Sequence, residues 1–325
     1  MEEFTSGLTK IGTGLAAVAI FLGLLLIIFF VGARAKGKLQ FPAAMIVFLG
    51  PAVVLLAYGL IAPAFLTTVG SFQNATGQDF VGWANYSWIF TTESNRKVLL
   101  NTAAWIVIAP LFSTGIGLML ALLLDRMKRE SISKSLIFMP MAISFVGAGI
   151  IWGLVYEYRD PTVSDQQVGL LSAVVMKLGI ANPPNWLLWE PWNNFLLMVI
   201  MIWIQTGFAM VILSAALRGV PEETLEAARI DGANDFRIFF DIMIPQIWGT
   251  LIVVWTTITI TVLKVFDIVY AMTNGENGTQ VLANLMYRWT FISGDSGRGS
   301  AIAIVIMLAV LPIMIWNIRR ARAAE

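Results

Sequence analysis

The chain contains neither cysteine nor histidine. Those two absences exclude disulfide frameworks, thiolate chemistry, zinc sites built on Cys or His, and any histidine-based triad. Charge is scarce as well: Asp, Glu, Lys and Arg make up 13% of the 325 residues, where an ordinary soluble domain carries about 25%. No G-x-x-x-x-G-K-[ST] segment occurs, so the chain has no P-loop of its own to cradle ATP phosphates. No internal repeat and no low-complexity tract is visible. Apolar sequence fills the remainder, with 58% hydrophobic residues. This is the composition of an all-α integral membrane protein.

Charged residues are missing from seven intervals: 11–33, 39–78, 98–124, 135–156, 191–217, 242–263 and 299–318. A bilayer-crossing helix needs about 20 mainly apolar residues, so each interval supplies one span. The second interval is long, but Pro63 and the polar run SFQNATGQD that follows limit it to one span near residues 42–66. The first interval reads as a retained span rather than a cleaved secretory signal, although Ala33-Arg34-Ala35 has small residues at the right spacing. Glu2 and Glu3 precede it, and its apolar core exceeds the roughly 7–15 residues of a signal.

An odd number of spans puts the termini on opposite sides, and the basic residues say which. The connections 34–38, 125–134 and 218–241 and the end 319–325 hold thirteen of the 21 Lys and Arg residues: Arg34, Lys36, Lys38, Arg126, Lys128, Arg129, Lys134, Arg218, Arg229, Arg237, Arg319, Arg320 and Arg322. The other side holds Lys10, Arg96, Lys97, Arg159, Lys177, Arg288 and Arg298. The expectation is an outer N-terminus and a cytoplasmic C-terminus. On the outer side, Trp186, Trp189 and Trp192 with Pro183, Pro184 and Pro191 read as an interfacial belt and turn, or alternatively as a docking surface for an external partner.

One cytoplasmic connection stands apart. In PEETLEAARIDGANDFRIFFDIMIP (Pro221–Pro245), Pro221 suits a first helical position, and Glu222, Glu223 and Glu226 complement the positive end of a helix dipole. A short helix from Pro221 to about Asp231 is expected, broken at Gly232 by a left-handed turn. A second helix should follow and end at Pro245. It places Phe236, Phe239, Phe240 and Met243 on one stripe. Burial of that stripe against the chain's own spans would contribute about 1.5 to 3 kcal/mol per side chain. A DNA-reading helix pair is excluded, because residues 218–241 sum to minus three and phosphate binding needs a basic footprint. A membrane-surface helix would be Lys- and Arg-rich on its polar face, and this segment is acid-rich. A pair of helices presented to another protein remains.

The segment EAARIDGANDFRIFFDIMIP resembles the EAA loop of the permeases of binding-protein-dependent ABC importers: E-A-A, three residues, G, nine residues, I, one residue, L-P. Glu226, Ala227, Ala228, Gly232, Ile242 and Pro245 match, and Ile244 replaces the leucine. The likeness extends through LKVFDIVYAMTNGENG (263–278), which is similar to maltose-type and alpha-glucoside sugar permeases, and covers about residues 95–320. The resemblance implies a type I importer core of six helices preceded by one N-terminal helix. It divides the chain into residues 1–95, with two spans and an outer loop, and 96–325, with the coupling loop at 218–245. It also implies a second permease subunit, two ATPase subunits that bind ATP and Mg, an external solute-binding protein, and a place in the prokaryotic inner membrane. This chain itself would carry no cofactor and no nucleic acid, and would be a transport subunit, not an enzyme. Glu226, Ala227, Ala228, Asp231, Gly232 and Pro245 would couple it to the ATPase.

For the substrate path, Thr257, Thr261 and Lys264 follow i, i+4, i+7 in the sixth span, with Asp267 three residues further on the same face and Tyr270 beyond. An intramembrane lysine costs about 2.5 to 3.5 kcal/mol without a partner or a watery cavity; the bland alternative is a lysine snorkelling along its own helix. Gln205 and Phe208 supply an amide and an aromatic face in the fifth span. Such a lining suits a hydroxyl-rich neutral solute, a di- or oligosaccharide before an anion. An ion-coupled transporter would explain the spans and a Lys/Asp pair but has no use for the acid-rich loop. An intramembrane enzyme lacks a nucleophile and base.

Overall fold

A computed structural model describes residues 12–16, 18, 19, 21–23, 26, 29, 30, 40–125, 127, 129–160 and 168–323. The described chain is helical apart from one isolated bridge between Gln73 and Phe80. It separates into two compact units, Met1–Val69 and Gly70–Glu325.

In the first unit, α1 runs from Gln40 to Leu56 and continues through a π turn at Ala57–Ile61 into Ala62–Gly70. Residues 48–69 bury no side chain, and a helix that is apolar all round belongs in lipid or against other apolar helices. The π turn sits just ahead of Pro63: the amide of Ala62 donates to Ala57 O. A widened turn relieves the clash between a proline ring and the carbonyl four residues back. The preceding interval, 11–33, lies partly outside the described residues.

The second unit is built on α2 (Ala84–Thr91), α3 (Glu93–Leu124), α4 (Glu130–Phe138, extended by a 3₁₀ turn, Met139–Ala142), α5 (Phe145–Val155), α6 (Leu170–Lys177) and α7 (Trp192–Arg218). It continues with α8 (Glu222–Ile230), α9 (Asp235–Leu263), α10 (Asp267–Thr273), α11 (Leu282–Tyr287) and α12 (Ser296–Ala323). The most buried of the long apolar helices is α7, which packs on α3 along one side and α4 along another. Glycine permits both approaches: a Cβ on Gly117 of α3 would lie 2.5 Å from the Ala209 side chain, and one on Gly207 of α7 would lie 2.6 Å from the Ile137 carbonyl oxygen. Between helices in lipid, packing is won by small residues that let backbones meet. Trp105 adds a buried polar tie, its Nε1 donating to Asn194 Oδ1 at 2.8 Å. Around these contacts Leu197, Met201, Ile204, Met210, Leu213 and Ile258 form the main core. A smaller cluster, with Tyr86, Ile89, Val98, Leu282 and Ile302, holds residues from 70–95 against α11 and α12 within the second unit.

Three expectations are corrected. The interval 135–156 is not one straight span: α4 and α5 meet at 103° across Ile143 and Ser144. Ile143 is extended, and Ser144 caps α5 by accepting from the Gly147 amide at 3.1 Å. Pro245 does not end a helix. α9 begins at Asp235 and runs through it, because a π turn at Ile238–Met243 precedes the proline and the Ile244 amide donates to Phe239 O, just as at Pro63. Finally, α9 stops at Leu263, and Lys264 and Asp267 do not share a helical face; Lys264 closes α9, and Asp267 opens α10.

Candidate functional site

Two regions gather the residues singled out from the sequence. The first is a groove of about 360 Å³ where the α4–α5 bend faces α7 and α9. Gln205 and Phe208 line it from α7, Thr257 and Thr261 from α9, and Ser144 and Phe145 from the bend. Gln205 is 6% exposed, and its amide has no hydrogen bond among the described residues, leaving donors and an acceptor for an occupant. Thr257 and Thr261 give their hydroxyl protons to Val253 O (2.8 Å) and Thr257 O (3.0 Å), so their oxygens remain as acceptors. Ser144 accepts from Gly147, so its own proton is available to an occupant. Among the described residues, no charged side chain lines the groove. Paired donors and acceptors beside two phenyl rings suit a neutral, hydroxyl-rich molecule.

Lys264, Asp267 and Tyr270 lie outside this groove. Exposed Lys264 edges a separate, mostly apolar pocket of about 370 Å³ with Phe266 and Tyr287. Tyr270 stacks on Phe266 with ring centroids 5.0 Å apart, and Tyr287 meets it edge-on at 5.4 Å. Ser144 and Phe145 had not been singled out from the sequence. The signals for them were Pro140 inside an apolar run and a serine four residues later, a helix stop and an N-cap.

The second region is the connection between α7 and α9. Helix α8 buries none of its residues. Its end is a Schellman motif: Ala233 N donates to Ala228 O at 3.0 Å and Gly232 N to Arg229 O at 3.1 Å, with Gly232 at φ +83°. Asn234 then caps α9, its Oδ1 accepting from Arg237 N at 2.9 Å. Glu226, Ala227, Asp231 and Pro245 are exposed and Ala228 is half-buried. The expected burial of the Phe236, Phe239, Phe240 and Met243 stripe is corrected: Phe236 is 69% and Phe240 49% exposed, Phe239 and Met243 are half-buried, and Ile238 is buried instead. The π turn over Ile238–Met243 shifts the helical phase, so the stripe expected from 3.6 residues per turn does not face one way. With Ile230, 86% exposed, these phenyl groups leave an apolar patch beside α8.

An ion network holds the base of this connection. Arg218 Nε donates to Asp125 Oδ1 at 2.9 Å, Arg218 and Lys134 both pair with Glu130, and Lys134 bonds Ser214 Oγ. The ends of α3 and α7 and the start of α4 are thereby at one end of the unit. At the opposite end, Asn101 Nδ2 donates to Gly278 O and Gln280 O, and Asn193 Nδ2 to Asn277 O. Trp186 is buried there, its Nε1 donating to Ser172 Oγ at 2.8 Å, while Trp189 and Trp192 are exposed.

Residues 113–318 match the family described as "Binding-protein-dependent transport system inner membrane component". The chain is 58% identical over 275 residues to the alpha-glucoside transport system permease protein AglF of Rhizobium meliloti (strain 1021), covering 84% of this chain and 81% of that one. It is 49% identical over 275 residues to the osmoprotective compounds uptake permease protein GgtC of Synechocystis sp. (strain ATCC 27184 / PCC 6803 / Kazusa), covering 85% and 98%. Its fold is similar to that in the crystal structure of a bacterial ABC transporter involved in the import of the acidic polysaccharide alginate, with a TM-score of 0.74 at 17% identity over 88% of this chain and 97% of that chain.

Proposed function

The chain belongs to the binding-protein-dependent transport system inner membrane components, and for this ABC importer permease we propose that the cargo is an α-glucoside, a di- or oligosaccharide, passed along the groove between the α4–α5 bend, α7 and α9. The observation that carries this reading is the uncharged lining of that groove, with the unpaired amide of buried Gln205 set among Ser144, Thr257, Thr261, Phe145 and Phe208. The identity to the α-glucoside permease supports it. Lys264, Asp267 and Tyr270 stand at the outer end of the path. A second permease subunit completes the path, an external binding protein delivers the sugar, and two ATPase subunits bind ATP and Mg. The 218–245 connection is cytoplasmic, the N-terminus is outside and the C-terminus inside, in keeping with the thirteen basic residues on that side. Helix α8, with Glu226, Ala227, Ala228 and Asp231, seats on the ATPase, and Gly232 and Pro245 fix its approach.

The test is uptake by the whole importer in membrane vesicles, with labelled maltose, trehalose and sucrose against arabinose and glycerol phosphate. Uptake of the glucosides with a Gln205→Leu variant that raises KM about 2- to 10-fold, the worth of one neutral hydrogen bond, supports the reading. Uptake restricted to a non-glucoside refutes it.

A further inference from the structure

Two stripes of residues continue past the groove toward the cytoplasm. On α7, Phe208 in the groove is followed by Val211, Ala215 and Arg218, spaced three, four and three residues apart and so on one face. On α4, Met141 in the groove is preceded by Phe138, Ser135 and Ser131 at the same kind of spacing. The stripes enclose a second cavity of about 470 Å³, into which Lys134, Glu130 and Ser214 also project. Ala215 is seven residues beyond Phe208, about 10 Å along the helix. The close backbone approach at Gly207 holds α4 against α7 where the two cavities adjoin.

The chemistry of this second cavity is specific. Two cations, Lys134 and Arg218, are matched by two carboxylates, Glu130 and Asp125, through the pairs already described. These four side chains are neutral in sum. Ser131 and Ser135, on the exposed face of α4, have no side-chain hydrogen bond among the described residues, and their hydroxyls are available to an occupant. The serine hydroxyls can make neutral hydrogen bonds to sugar hydroxyls, the remaining protons and lone pairs of Lys134, Arg218 and Glu130 can make charge-assisted ones, and Phe138 supplies an apolar face. The groove itself offers only neutral groups.

From this arrangement we infer that the cavity between α4 and the cytoplasmic end of α7 is a second solute site, taken by the sugar after it leaves the groove and before release, and open to cytoplasmic sugar. The inference rests on the α-glucoside reading of the groove. It gives the ion network two roles: it ties the α3–α4 turn to the root of the coupling connection, and it binds cargo on the release side.

The absence of cysteine makes the test direct, since Ser135→Cys or Ser131→Cys becomes the single thiol of the chain. Inside-out vesicles carrying the whole importer are treated with a membrane-impermeant maleimide, with and without maltose. Labelling of this chain is followed, and Met127→Cys, 49% exposed and outside the cavity, serves as control. With maltose at ten times its half-protecting concentration, labelling at residue 135 should slow about tenfold by mass action, with no change at residue 127. Residue 131 provides the same reading should the 135 variant fail to assemble. Absence of protection at both, in an importer that still takes up α-glucosides, overturns the second site and leaves the groove reading intact. Protection by sodium sulfate equal to that by maltose overturns it in favour of an ion site. Failure of the unmodified importer to take up any α-glucoside removes the groove reading and the second site with it.

Discussion

Gly207→Ala tests whether the approach of α4 to α7 governs assembly of the site. A Cβ at Gly207 would lie 2.6 Å from Ile137 O and 2.8 Å from Phe138 Cα, where ordinary contacts begin at 3.4 Å, so the helices must separate by about 0.8 Å. Both atoms are backbone, and no rotamer change relieves them. Overpacking of this kind costs about 1–3 kcal/mol. Alanine also favours helix over glycine by about 0.8–1.0 kcal/mol, which would mask part of the effect. Gly115→Ala supplies the correction: Gly115 lies in α3, is exposed, and has nothing within 4 Å of its Cβ position. The difference between the two variants cancels the propensity term and leaves about 1–3 kcal/mol against Gly207→Ala. Thermal loss of the monodisperse purified importer measures it, with Gly207→Ala expected below the parent and Gly115→Ala at or above it. Uptake should fall with the former, because Phe138 and Met141 move with the displaced α4. Equal melting and equal uptake for the two variants would refute the claim that this glycine sets the helix pair.

Gly232→Val places a β-branched residue at φ +83°, at a cost of about 1–2 kcal/mol. Insertion should persist while ATPase copurification or solute-stimulated hydrolysis falls, and Glu226→Lys should do the same by reversing an exposed charge on α8; full binding with full stimulated turnover in both variants rules out α8 as the coupling helix. Lys264→Leu should lower uptake with subunit assembly intact if the lysine stands at the outer end of the path, and unchanged uptake removes it from the path. Orientation is checked by Met127→Cys, which a membrane-impermeant maleimide should label in inside-out vesicles and not in right-side-out ones; the reverse pattern overturns the assigned sidedness.

Much of this protein is legible in its sequence because the bilayer imposes a length and a polarity that local composition must satisfy. The spans that become α3, α7, α9 and α12 follow from charge-free intervals, since a backbone in lipid must satisfy its own hydrogen bonds as helix. The α8 turn is equally local. Only glycine takes φ +83° without a Cβ penalty, so Gly232 announces the end of that helix by itself. The spacing E-A-A to Gly232 to Pro245 carried the family in the same way, because the connection's shape is set by residues within 20 positions of one another.

What the sequence did not reveal depends on contacts or phase shifts without a local signature. The π turn at Ile238–Met243 changes which phenyl groups face inward, and a pattern read at 3.6 residues per turn carries no sign of it. The 103° bend at Ile143 and Ser144 joins two apolar helices inside one charge-free interval, so hydropathy alone sees a single span. Gln205 and Thr257 were recognisable as polar residues in apolar helices, but their meeting across one groove required α7 and α9 to pack. That packing brings together residues 52 positions apart. The same is true of Gly117 against Ala209, and of the Asp125, Glu130, Lys134 and Arg218 network. Membrane insertion is written into short stretches of chain because each helix meets the same solvent; the groove and the cavity below it exist only where distant helices close on one another, and only the tertiary structure decides that.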